Sequence, residues 1–356
     1  MTDWPPVAEP GTPAARAILA QRRNGTNDPA LARNLRAVPV VREERTATQH
    51  EAPAPDPGDW WSTRPLLAEV RALAYATMTA PSALLGVILA RVLAAVPPTL
   101  VLPPIVVADA SLNLYVAVVG ASGAGKGGAG AVADARVRIV GGRGFDRWPL
   151  GSGEGIARAY VRRTKARDGH TDQYVYQTNV LFETQEVDTL GALSSRQGAT
   201  LSGELRQAWS GERLGFGYAD PDKRLTVPAH AYRLVLVVGV QPGRAGALLN
   251  ETDGGTPQRF VWVTATDPTL PDRPTSLPED YRLTITLPRI DGRTRQRMDV
   301  CAEACDTIRD ARAAQMRGAS DALDGHALLA RLKVAAALAL ADTRLDVTAE
   351  DWHLAG

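Results

Sequence analysis

Cysteine is almost missing from this chain: two residues among 356, Cys301 and Cys305, exclude a disulfide framework. They stand one helical turn apart, a spacing of neither a zinc ribbon nor a redox dithiol, and read as helix packing. Charge of one sign is lacking too. Forty basic against thirty-nine acidic side chains leave a net charge of +1, so the chain as a whole has no electrostatic footprint of a nucleic-acid or membrane-surface protein, and any such binding must use a local patch. Long apolar runs are absent: the longest, residues 83–96, contains Arg91 and falls short of the ~20 residues a bilayer core demands. It reads as a core helix, and no membrane partner is expected. The opening MTDWPPVAEP has neither the basic nor the apolar region of a signal peptide, from which a cytoplasmic location is expected. The five histidines are scattered without ligand spacing, and no Ser-His-Asp constellation stands out.

What is present is an ordinary globular balance, 45% hydrophobic and 22% charged. Nine of the twenty-five prolines fall within residues 1–58, which read as a disordered Pro/Ala-rich N-terminal segment. Residues 59–108 read as a helical collar, with Leu66, Leu67, Val70, Leu73 and Ala74 at helical spacing and a second apolar stretch that Pro97 and Pro98 stop. Residues 109–270 alternate apolar runs with helix-like segments. Runs at 112–119, 175–182, 234–240 and 260–263 predict strands buried on both faces, hence an α/β core with a mainly parallel sheet. Residues 215–227 are polar and turn-rich, as in a hairpin or surface loop. Residues 271–356 read as a C-terminal α-helical lid, with helices over 299–317 and 324–341 and a last one capped by Thr348 and Asp351.

The chemistry concentrates in Gly120, Ala121, Ser122, Gly123, Ala124, Gly125 and Lys126, followed by Gly127 and Gly128. An apolar strand precedes this run and an Ala-rich helical stretch follows it, the context of a phosphate-binding P-loop. Its glycines let successive N–H groups converge on phosphate oxygens, the helix adds its positive end, and Lys126 supplies a charge for the β and γ phosphates. In so glycine-rich and lysine-poor a chain the pattern arises by chance only about 0.03 times. Gly127 stands where the pattern has a Ser or Thr hydroxyl for Mg²⁺, so phosphate binding is the firmer expectation and Mg²⁺ is left to phosphates, waters and a carboxylate. That carboxylate is sought in the run from Asn179 to Asp188, where Glu183 ends the apolar stretch and Glu186 and Asp188 follow; spacing does not choose among them. Gln241 ends the next apolar strand and is placed to sense a γ-phosphate or hold the attacking water. Arg259, just before another strand, suits bridging phosphate oxygens across a subunit interface. Arg158, Arg162 and Lys165 would share a face of one helix and so line a channel around DNA phosphates.

With the loop, the acidic strand, Gly239-Val-Gln241 and Gln258-Arg259-Phe260 in this order, the chain resembles the P-loop ATPases linked to primase-helicase and replication proteins of plasmids, phages and integrative elements, a group similar to superfamily 3 and AAA-type helicases. Residues 151–156, 200–209 and 347–352 match as well, so the resemblance spans about residues 60–356. It implies ATP binding with Mg²⁺, assembly of a homo-oligomeric ring, motor work on DNA and replication proteins as partners. It further implies that Lys126 contacts phosphates, Glu183 or Glu186 fills the Walker B role, with Glu183 holding the metal, Gln241 is the sensor and Arg259 the finger. Other readings stand beside it: a nucleotide-binding regulatory or scaffold subunit that hydrolyses poorly, favoured by Gly127, and a nucleotide kinase, whose Gly-Lys-Gly resembles residues 125–127 but usually opens the chain.

Overall fold

The computed structural model describes residues 57–165, 171–187, 200–217, 225–249, 255–318 and 326–356, all within the unit Pro55–Gly356. Residues 1–56, Asp188, Arg167 and positions 218–224 of the expected hairpin lie outside them. The chain runs through α1 (Pro57–Ser62), α2 (Pro65–Ala76), α3 (Pro81–Ala94), β1 (Leu100–Leu102), β2 (Ala110–Ser111), β3 (Leu114–Val119), α4 (Lys126–Arg136), β4 (Val137–Val140) and β5 (Asp146–Pro149). Next come α5 (Gly153–Arg158), β6 (Val161–Lys165), β7 (Thr171–Val175), β8 (Asn179–Thr184), α6 (Leu201–Ser210), β9 (Arg233–Val240), α7 (Gly246–Leu249) and β10 (Phe260–Thr264). The remainder is β11 (Leu283–Thr286), β12 (Gln296–Arg297), β13 (Asp299–Val300), α8 (Ala302–Met316), α9 (Ala327–Ala341), β14 (Asp346–Val347) and α10 (Ala349–Leu354).

Five strands form one parallel sheet in the order β10-β3-β9-β8-β5, so the fold is α/β with helices on both faces. The alternation of side chains along each strand divides the apolar residues into two cores. Leu114, Val116 and Val118 of β3 join Leu181 and Val235 on the face covered by α3 and α4. Tyr115 and Ala117 point the other way and join Val180, Phe182, Leu234 and Leu236 against α5 and α6. Because both faces are covered, the central strands are apolar at nearly every position. Pro81 sits in the first turn of α3, where its missing N–H is not needed. Every residue from Ala83 to Ala94 is buried, and the helix crosses β3, β8, β9 and β10. Helix α9 packs on α3 from the C-terminal part of the chain. Among the described residues no helix is long and apolar enough to cross a membrane.

Several expected boundaries shift for local reasons. The run at 175–182 is divided: Val175 is half exposed at the end of β7, and β8 starts only at Asn179, whose amide donates to the carbonyls of Ala94 (2.7 Å) and Val96 (2.8 Å) and so pins the strand to the end of α3. The helix expected from residue 299 starts at Ala302, because Asp299 and Val300 pair in parallel with Asp346 and Val347. The arginine-rich stretch does not form one helix. Arg158 ends α5, whereas Arg162 and Lys165 lie in β6, paired antiparallel with β7. Thr348 caps α10 as expected: its hydroxyl accepts from the Asp351 N–H (3.3 Å), and the Asp351 carboxylate accepts from the Thr348 N–H (2.8 Å).

Candidate functional site

All five strands of the sheet point the same way, so the segments that leave their C-terminal ends gather along one edge. Val119 and Val240 are opposite one another, as are Val119 and Thr264, and Pro149 faces Glu183. The chain leaves β3, builds β5, β8 and β9 on one side and then places β10 on the other, which opens a crevice at the C-terminal end of β3 where ligands of such sheets bind. The glycine-rich loop occupies that place. Gly123 and Gly125 have φ of 79° and 78°, values that only glycine adopts readily, and Gly125 leads directly into α4. The Gly120 N–H donates to Val240 O (2.9 Å), tying the loop to β9. The Lys126 ammonium folds back and donates to the carbonyls of Gly120 (2.9 Å) and Ala121 (2.7 Å). A helix N-terminus, a glycine loop with two positive-φ residues and an ammonium held by carbonyls of its own loop thus stand together, groups whose chemistry is compatible with a phosphate-sized anion.

Glu183 continues the face of β8 that Leu181 starts, the face toward α4. It lines a cavity of about 230 Å³ together with Lys126, Gly127, Asp134, Arg147 and Gln185. Arg147 donates through Nε to Glu183 Oε2 (2.6 Å) and through one terminal nitrogen to both Asp134 oxygens (2.8 Å each). Arg91 reaches Asp134 from α3 (2.8 Å). Hydrogen bonds from Arg147 to Glu183 and Asp134 hold its own guanidinium firmly protonated. Burial works against ionisation of Asp134, but Arg147 and Arg91 outweigh it and keep the carboxyl below its ordinary range. The cavity therefore has an acid at the end of β8, as the sequence predicts, and a charge clamp on that acid which the sequence reading misses. A partial signal existed: Gly127, Gly130, Ala131 and Asp134 recur at helical spacing and share one face of α4.

The other predicted residues separate. Glu186 is exposed on the turn beyond β8 and does not line this cavity. Gln241 follows β9 directly, on the same sheet edge as the loop, and is half buried at the start of a short 3-10 turn. Arg259 is not brought to the site. It precedes β10, whose first residue Phe260 is opposite Tyr115, so it lies at the N-terminal edge, about 16 Å of strand away from the loop. There it is buried, donates to Gly255 O (2.7 Å) and lies over the Trp209 ring (5.5 Å). The base of the β6–β7 hairpin also sits at that opposite edge: the Tyr160 hydroxyl donates to Arg233 O (3.2 Å) and the Arg233 N–H to Thr178 O (2.7 Å). Arg162 is exposed there with its guanidinium 4.0 Å from the Tyr176 ring centre, and Arg158 is exposed at the end of α5.

The oxygen donors at the cavity suit a hard divalent cation. Mg²⁺ takes one or two carboxylates and leaves its other positions to phosphate and water; Glu183 beside the loop would supply one such carboxylate where Arg147 releases it. Among the described residues no cluster of three His, Cys, Asp or Glu side chains converges to cage a metal by protein alone. Compared with known proteins, the chain matches no protein-family model and no curated protein.

Proposed function

We propose that this chain is a P-loop ATPase that binds ATP with Mg²⁺ on residues 120–128, covered by a C-terminal helical lid, and acts on DNA during replication of a plasmid, phage or integrative element as a homo-oligomer. One observation carries the nucleotide reading: Lys126, at the end of a positive-φ glycine loop, shares a cavity with Glu183 from a parallel strand two places away. In this reading the loop N–H groups and Lys126 hold the β and γ phosphates, and Glu183 takes the Walker B role. Bound Mg²⁺ neutralises charge on the phosphates. Gln241, on the same edge, faces the terminal phosphate from β9. The DNA reading rests on the order of motifs along the chain, and Arg158 and Arg162, each exposed, would be its phosphate contacts.

A second reading is favoured by one specific feature. Arg147 already engages Glu183, and Gly127 offers no hydroxyl, so a nucleotide-binding subunit with slow hydrolysis fits the same geometry. Phosphate release measured with and without single-stranded DNA separates the two. A motor shows turnover that DNA stimulates and that fades as salt screens the phosphate contacts. ATP binding without DNA-stimulated release supports the regulatory subunit, and transfer to a nucleoside monophosphate supports a kinase.

A further inference from the structure

We propose that the side-chain amide of Gln185 replaces the hydroxyl that Gly127 lacks, as the neutral oxygen donor facing the metal of a bound nucleotide–metal complex. The inference rests on the nucleotide reading above and assigns a residue to a gap in it. A Cβ built on Gly127 would lie 3.0 Å from Gln185 Oε1, so the amide oxygen already fills the space into which a Ser or Thr side chain would project from the first turn of α4. Gln185, Gly127, Lys126 and Glu183 all line one cavity.

The Gln185 side chain is exposed, but the backbone it springs from is fixed in position. A Cβ on Gly239 would collide with the Gln185 carbonyl oxygen, so the turn after β8 is pressed directly onto β9 and only glycine permits the approach. Two residues later, Val187 is buried and anchors the other side of the turn. Gln185 is thus held next to Glu183 at the strand end rather than on a long loop. The chemistry is equivalent: amide carbonyl oxygens and hydroxyls are both uncharged hard donors of the type that Mg²⁺ and Ca²⁺ accept alongside carboxylates. A serine at 127 would require the end of the Gln185 side chain to shift, since its Cβ would stand 3.0 Å from the amide oxygen.

The test is titration of the full chain with a fluorescent ATP analogue, with and without Mg²⁺, reading the affinity gained from the metal. Gln185→Ala is expected to leave the metal-free affinity within about twofold and to cut the gain by about tenfold. Gly127→Ser in the Gln185→Ala background restores most of the gain, because the hydroxyl takes the place of the amide oxygen. Gln185→Glu, which keeps the shape and adds a charge, raises the gain. An undiminished gain in Gln185→Ala overturns the proposal, and so does a loss that Gly127→Ser fails to rescue, since that marks a merely structural role. If the unaltered chain binds no ATP at all, the nucleotide reading itself falls, a result distinct from either.

Discussion

The two ends of the central sheet hold their cations in opposite ways. At the C-terminal end, Lys126 is held by two carbonyls of its own loop, beside backbone N–H groups at the start of α4. At the N-terminal end, Arg233 and Lys333 are fully buried. Arg233 donates to the carbonyls of Val96 (3.3 Å), Pro97 (2.9 Å) and Leu100 (2.8 Å) and to Ser111 and Asn113, and Lys333 donates to Asn113 O (2.8 Å) and Trp209 O (2.7 Å) while lying 3.5 Å from the Trp209 ring centre. Burial pushes Arg233 down to about 9 and Lys333 well below its ordinary value. Where oxygen acceptors and an aromatic face already surround a cation, it fastens strands and helices together. Where a cation is held by two carbonyls of its own loop and lines a cavity, as Lys126 does, it would be free to exchange them for an anion in the proposed reading. A positive side chain near a strand end therefore says little until the edge it belongs to is known.

That contrast can be broken by substitution. Arg233→Met leaves several buried acceptors unpaired and is expected to lower stability by about 3 kcal/mol or more in urea denaturation, with nucleotide affinity of the folded protein unchanged. Loss of affinity at constant stability would erase the distinction between the ends. Lys126→Ala is the reverse case: ATP affinity falls about 100-fold, or about 2.7 kcal/mol, and the melting temperature stays put. A buried acid provides a pH-dependent contrast away from both ends. Burial opposes ionisation of Asp351, but Arg344, the Thr348 N–H and Arg64 together hold its carboxyl down at about 2. Its contribution, about 2 kcal/mol, is complete above the ordinary carboxylate value near 3.8 and is lost as pH falls toward 2. Asp351→Asn should flatten that acid limb, and an unchanged limb would mean that other carboxylates dominate it. The smallest effect is expected from Thr348→Ala, about 1 kcal/mol for the lost cap, without change in nucleotide binding.

The sequence made β3 and β9 legible because strands covered on both faces are apolar nearly throughout; β10 was legible from its Phe-Val-Trp-Val run, although it is an edge strand with Trp262 exposed rather than one buried on both faces. It hid β5, an edge strand of four residues, Asp146–Pro149, that are mostly exposed and carry no periodic signal. It also hid the β6–β7 hairpin, where charged residues at helical spacing fit a strand equally well. The loop at 120–126 was legible because its backbone demands are written in residue types, glycine at each positive φ. The Arg147 clamp was not, since Asp134, Arg147 and Glu183 come from three elements that only the sheet order brings together. Arg259 stands apart from its own chain's loop for a reason of topology: a residue before a strand parallel to β3 falls at the edge opposite to a residue after β3.

Amide hydrogen exchange with and without ATP and Mg²⁺, followed peptide by peptide, reaches the central claim most directly. Slower exchange confined to residues 120–128 and the end of β8, with residues 111–113 and the start of β9 unchanged, is the result this account predicts. Exchange that ATP leaves unaltered in the loop, or that slows at the N-terminal edge instead, would contradict it.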